Sequence, residues 1–563
     1  MEVAAEAPAR GGGFHTLTRT QLIGTVIGLQ LTLLLAALDS TIVGTAMPRI
    51  IANLNGFDRY AWVTTAYLLT STTAVPIFGK LSDIYGRKWF MIVGAVLFVI
   101  ASAFCGAAGD LPLPGDGMTQ LIVFRGIQGI AGGIVTAITF TIVGDIFPPS
   151  ERGKYQGLFS GVWGLASVFG PTLGGWITDN LSWRWVFYVN LPVGIVAVLV
   201  LLFAFPYFKP EGVKHAIDYA GVATLIGCLV PLLLALTWVT EYGWTAPRIL
   251  GLFALSIVML AAFIYFEGRA EEPLLPLSLF QNRIVSVSSI ALFLTGIGMF
   301  GSILFIPLFM QGVSGVSATE SGNLLTPLMI TLTVFSIISG QLISRVGRYR
   351  LIALAGTATM AFGMYLLAGM GGNTSQAVTV RNMVVVGIGL GLTMPLYTLV
   401  VQNAVPARMI GTATASTQFF RSIGGTVGAA IFGSVMLNQY TVRFDQLAPT
   451  GVPQQVLTPF RNPLQLTQIM PQLEQTFAQL PNGPQLLQSL LGHVKDSLVY
   501  SLSSCFWMGT ILVAVAFLVT FFLPEIELRK TNREQPATAD APSPVAAAEE
   551  VLTGVPAPVG ATE

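Results

Sequence analysis

The chain has 563 residues, of which 53% are hydrophobic and only 10% charged, and its mean hydropathy is +0.72. That is too apolar for a soluble globule and too long for one small bundle, so the composition points to an all-α polytopic membrane protein. A net charge of +1 argues against a nucleic-acid partner, because binding through phosphates needs a basic surface in excess.

Residues 1-18 form a polar, Gly/Ala-rich tail without the cleavage pattern of a signal peptide, so the first span is expected to stay in the membrane. Apolar runs of about 20 residues, the length a helix needs to cross a bilayer, follow near 22-46, 60-79, 89-108, 118-143, 155-178 and 185-205. Two more lie near 218-238 and 249-266. The rest are near 285-310, 322-343, 350-370, 380-402, 410-437 and 500-523, which makes about fourteen spans. The division expected is a first half at 19-205, a linker with two extra helices at 206-284, a second half at 285-530 and a disordered tail at 531-563. Within the second half, 438-499 is an outer segment rich in Gln, Pro and Leu, with a plausible amphipathic stretch at 466-480. It reads either as a loose loop with helical extensions of its flanking spans or as a lid or guide for substrate. With both termini inside, most of the 28 Lys and Arg fall in inner segments, as the positive-inside rule requires.

Few residues are equipped for chemistry. Cys105, Cys228 and Cys505 each fall in an apolar span, with no disulfide or metal-ligand spacing. His15, His215 and His493 lie outside the spans. No phosphate-binding Gly-rich loop followed by Lys-Ser/Thr is present, so no nucleotide, cofactor or metal is expected. Asp39, in LDSTIVGTAMP, is the one carboxylate placed inside a span. At 1.5 Å per residue it lies about 10 Å from the outer end of the first span, and Arg125 of the fourth span reaches about the same depth. The two can meet, as a static ion pair or as a proton switch in which Arg125 holds Asp39 ionised until protons enter. Arg421 lies about 16 Å into the thirteenth span, with no carboxylate at that depth. It is expected to face a wet cavity, binding carbonyls or an anionic group of a substrate. Gln418, Phe419 and Phe420 beside it, with Tyr67 and Trp163 of the first half, are candidates for an adaptable pocket between the halves.

Two loops repeat in register: GKLSDIYGRK at 79-88 and GQLISRVGRY at 340-349. The first resembles the signature loop of the major facilitator superfamily, between the second and third helices of each six-helix half; Ser344 stands where the first copy has Asp83. LIVFRGIQGIAGG at 121-133 resembles that superfamily's fourth-helix motif. The stretch at 166-175, with Gly170, Pro171, Gly174 and Gly175, resembles its fifth-helix antiporter motif, departing at Ala166 where Gly is usual. LDSTIVGTAMP resembles the first-helix motif of its fourteen-span drug:H+ antiporters. The resemblance implies the major facilitator fold, two six-helix halves joined by two additional transmembrane helices. It also implies a conformational charge network of Asp83, Arg87 and Asp145, unless the loop charges serve only to fix orientation.

The function expected is not enzymatic. It is proton-coupled antiport of small lipophilic, drug-like compounds out of the cell by alternating access, driven by the proton gradient. The alternatives are export of lipids or glycolipids guided by the long outer segment, or a sensor that has lost transport. The expected setting is the cell membrane, a bacterial cytoplasmic membrane, with lipid, protons and the substrate as partners and a monomer as the working unit.

Overall fold

A computed structural model describes residues 17–54, 59–207, 218–316, 318–406, 409–449, 452–461, 463–479 and 482–528. Most of the tail expected at 1-18, and all of that at 531-563, lie outside the described residues. Those described are helical or irregular, with no strand among them.

The helices run in chain order as α1 (Arg19–Leu54), α2 (Tyr60–Tyr85), α3 (Arg87–Gly106), α4 (Gly117–Ile146), α5 (Pro149–Asn180), the short α6 (Trp185–Tyr188) and α7 (Asn190–Ala204). A linker pair follows, α8 (Tyr219–Tyr242) and α9 (Pro247–Glu267). Then come α10 (Arg283–Gly312), α11 (Ala318–Val346), α12 (Arg350–Ala368), α13 (Gln376–Ala404), α14 (Ile410–Leu447), the single turn α15 (Gln454–Leu457), α16 (Pro463–Ala478) and α17 (Gly483–Thr520). Side-chain caps mark several starts: Asp116 accepts from Thr119 N at 3.0 Å, Asp218 from Gly221 N at 2.7 Å and Asn282 from Ile284 N at 2.9 Å. Asp116 also takes Arg59, and hydrogen bonds from Arg59 and Thr119 hold its exposed carboxyl well below the usual carboxylate range.

Among the described residues, twelve helices are long and apolar enough to cross a membrane, α6 and α7 counting together as one. Helices α2 and α5, of 26 and 32 residues, are long enough but more polar. Several of their glycines, among them Gly79 on α2 and Gly153, Gly157, Gly170 and Gly174 on α5, lie against neighbouring helices, as small residues do at helix contacts in membranes.

The packing repeats. In the first unit α1 packs on α5 and α7, α2 on α4, and α3 on α4 and α7. In the second α10 packs on α14 and α17, α11 on α13, and α12 on α13 and α17. The two units meet reciprocally, α5 on α11 and α14 on α2, which is a pseudo-twofold relation between two copies of one bundle. The backbone carries the same repeat. Only Gly86 separates α2 from α3, at φ +95°, and the matching Gly347 has φ +71°; side chains rarely tolerate that region, so the two loops need glycine where they turn.

The segment at 438-499 is helical over most of its described residues. Helix α14 continues to Leu447 and α17 begins at Gly483, each 38 residues long, about 57 Å at 1.5 Å per residue and well beyond a hydrocarbon core of about 30 Å. The extensions enclose a small core instead of leaving a loose loop. Tyr440 and Phe444, one turn apart on α14, stack at 6.0 Å; Phe460 follows at 6.4 Å and Phe477 of α16 at 5.9 Å. The Tyr440 hydroxyl donates to Phe460 O at 2.6 Å, so it is paired inside this core. The core runs on without a break into that of the second unit.

Candidate functional site

Four helices converge on Asp39. Its side chain is fully buried on α1, and Arg125 on α4 is 2% exposed. Arg125 Nη1 lies 2.5 Å from Asp39 Oδ2, while Asp39 Oδ1 accepts from Gln128 Nε2 at 2.9 Å and from Asn190 Nδ2 at 2.9 Å. Arg125 donates from Nε to Val63 O at 3.2 Å and from Nη1 to Gln128 Oε1 at 2.6 Å, and its guanidinium sits 4.4 Å above the Tyr67 ring. Ser102 of α3 closes the ring by accepting from Gln128 at 2.7 Å and from Asn190 at 3.4 Å.

Each charge is therefore neutralised and hydrogen-bonded, the condition for keeping a pair in a low-dielectric interior. The ring ties α1, α3, α4 and α7 together. A proton on Asp39 would cancel the charge that holds Arg125, so the groups present can exchange an ion pair for a neutral contact. Asn190 and Ser102 carry no sequence signal beyond being polar inside an apolar run.

A second cluster lies at the loop end of the bundle, the end carrying residues 79-88 and 340-349. Arg87 donates from Nε to Asp145 Oδ2 at 2.8 Å and forms an ion pair with Asp83. Asp83 Oδ2 accepts from both Thr412 N and Thr412 Oγ1 at 2.9 Å. Thr412 is in the first turn of α14, where unpaired N–H groups and the helix dipole favour an anion. One carboxylate thus joins the signature loop of the first unit to the second.

The second loop has no such acid. There Ser344 bonds back to Gly340 O at 2.9 Å. The Tyr349 hydroxyl donates to Pro524 O at 2.7 Å and accepts from Ile526 N at 2.9 Å, and burial pushes that phenol up to about 12.

The loop ends of the two units are in close contact. Gly153 of α5 and Gly340 of α11 meet backbone to backbone, and Gly157 lies against the Ser336–Ile337 backbone. Between them Gln156 donates to Gln402 Oε1 at 3.0 Å, and Gln402 donates to Phe140 O at 3.2 Å and Thr414 Oγ1 at 2.9 Å. This junction of buried amides did not stand out in the sequence.

In the motif at 166-175, Gly170 faces Thr41 and Gly174 faces Thr45 and the Ile42 carbonyl, whereas a Cβ on Gly175 meets nothing within 4 Å. Gly174→Val is therefore expected to lose about 1–3 kcal/mol by overpacking, and Gly175→Ala to stay within about 0.5 kcal/mol of the parent. Thermal unfolding of the purified variants measures both.

The six pocket candidates pack among different neighbours. Tyr67 lies under Arg125 and packs with Leu35 and Phe98. Phe419 and Phe420 pack with Phe280 and the linker helices. Arg421 donates to Gln418 Oε1 and meets no carboxylate among the described residues. Trp163 packs within the first unit, its Nε1 without a partner among the described residues. A cleft between α1 and α5, lined by Gln30, Leu31, Leu34, Val162 and Leu165, is adjacent to it in sequence.

Residues 29–429 match the family model described as Major Facilitator Superfamily. The chain is 42% identical to the "Multidrug transporter protein MdtP" of Bacillus subtilis over 90% of this chain and 94% of that one. It is 37% identical to "Multidrug resistance protein 3" of the same organism over 90% and 96%. Among solved structures, the proton:xylose symporter XylE superposes with a TM-score of 0.57 at 13% identity, covering 91% of this chain and 98% of that one. The human organic anion transporter MFSD10 gives 0.54 at 15% identity, over 88% and 99%; both show the fold alone.

Proposed function

The chain belongs to the Major Facilitator Superfamily of membrane transporters rather than to an enzyme family, and from that premise we propose that it exports lipophilic, drug-like compounds in exchange for protons. The observation that carries this reading is the sealed Asp39–Arg125 pair, with both side chains at most 2% exposed. A membrane-buried acid held in a breakable ring of hydrogen bonds is suited to carrying a proton. The names of the two Bacillus relatives favour drugs over other cargo.

Alternating access would swap the junction at the loop end for one at the opposite end, with Asp83, Arg87 and Asp145 holding the loop-end contact. We read α2 and α5 as two further spans, giving fourteen crossings, with both termini and the signature loops on the cytoplasmic side. The working unit is a monomer in a bacterial cytoplasmic membrane and needs no cofactor beyond the proton gradient.

The energetics suffice. A tenfold outward gradient costs about 1.4 kcal/mol, and one charge crossing about 100 mV supplies about 2.3 kcal/mol. A monovalent cation exchanged for one proton moves no net charge, so the pH difference alone would drive it. Purified protein in liposomes should show proton flux stimulated by lipophilic cations. Substrate movement that neither moves protons nor responds to a pH gradient would refute the coupling.

A further inference from the structure

Outside these two clusters, two carboxyl oxygens that both border Gly221 lie buried and, among the described residues, unpartnered at the loop end of the linker. Asp218 uses Oδ1 to cap α8, accepting from Gly221 N at 2.7 Å, and its Oδ2 has no hydrogen-bond partner among the described residues. Glu267, the last residue of α9, is 3% exposed; Oε1 accepts from Leu275 N, and Oε2 is likewise without a partner. Both free oxygens lie within 3.0 Å of the point where a Cβ on Gly221 would stand. The absent side chain of Gly221 is what lets the two acids approach.

The surroundings are apolar except for one ion pair. Leu225, Leu229, Phe263 and Leu274 form the core there. The charged groups beside the acids are Lys80 of α2 and Glu272, which pair at 2.8 Å, while Arg269 turns away over the Tyr265 ring at 3.9 Å. Two carboxylates this close in an apolar site repel strongly, and a single proton between them converts the repulsion into a hydrogen bond. A metal ion fits poorly: Ca2+ takes six to eight oxygens and Mg2+ an octahedron. No group of three or more acidic, Cys or His ligands exists among the described residues, and the Lys80 ammonium stands alongside.

We propose that Asp218 and Glu267 form a second proton-binding site, separate from Asp39, that fastens the linker pair α8–α9. Loss of its proton leaves two facing carboxylates, which compete with Glu272 for Lys80. Lys80 belongs to the signature loop, so the charge of the linker pair is transmitted to the loop end of α2. This gives the two additional helices a role in sensing pH there.

Infrared difference spectra of the full-length protein in lipid nanodiscs, recorded against pH, count protonated carboxyls whether or not Asp39 drives transport. A carboxylic-acid band that titrates is expected in the parent, lost in Glu267→Gln and kept in Asp39→Asn. In Asp218→Asn, which preserves the cap acceptor, the band's midpoint should move to lower pH because the neighbouring charge is gone. A band that survives Glu267→Gln with amplitude and midpoint unchanged overturns the proposal, as does one that disappears in Asp39→Asn or whose midpoint ignores Asp218→Asn.

Discussion

Asp39→Asn should abolish uphill, proton-driven export while substrate binding stays measurable. The substituted side chain still accepts from Gln128 and Asn190 through its oxygen, but it presents an amide donor to Arg125 where a carboxylate stood. The guanidinium then lacks its counter-ion in a buried site, a change that costs about 3–5 kcal/mol when one partner of a buried pair is removed. Lower thermal stability is therefore expected alongside lost coupling, and the two must be separated. The double variant Asp39→Asn/Arg125→Gln removes both charges and should recover stability without recovering uphill transport. Arg125→Ala should differ from both: its acid remains without the guanidinium, so export is expected to slow while substrate-stimulated proton flux stays measurable. No such flux is expected for Asp39→Asn. Uphill, proton-coupled export by purified Asp39→Asn protein would place the carrier elsewhere, with Asp145 the next residue to test.

What was legible in the sequence depended on whether position along a helix or rotation about it was at stake. Position follows from a fixed rise per residue, which is why counting residues brought Asp39 and Arg125 to one depth. The repeat of the two loops was equally plain, because a turn that places glycine at positive φ leaves Gly86 and Gly347 in register. Rotation is set by packing and was not readable. Tyr67 lies under the Arg125 guanidinium, and adjacent Gly174 and Gly175 differ completely in what they touch. Asn190 and Ser102 were missed for the same reason: a neutral polar residue in a span stands out only once its neighbours are known. In the segment at 438-499, Gln- and Pro-rich composition hid the one-turn spacing of Tyr440 and Phe444, on which its small core is built.

Gly340→Leu is expected to shift the protein away from the conformation in which the loop ends touch. The Gly340 Cα faces the Gly153 backbone with no room for a Cβ, and the obstructing atoms are backbone, which cannot rotate aside. Helices α5 and α11 must separate, and the Gln156–Gln402 hydrogen bond between the units would stretch with them. Overpacking of this kind costs about 1–3 kcal/mol, enough to change the balance of two conformations by about 5- to 150-fold. Since the strain exists only while the loop ends are together, it should tax one conformation and spare the other, whereas Gly174→Val strains a contact inside a single unit. Ser336→Cys, introduced after the three native cysteines are replaced, gives a probe at the buried face of α11. Its labelling by a water-soluble thiol reagent should rise in Gly340→Leu, and export should slow in the same variant. Unchanged labelling together with unchanged export would mean that the Gly153–Gly340 contact is not part of the gate.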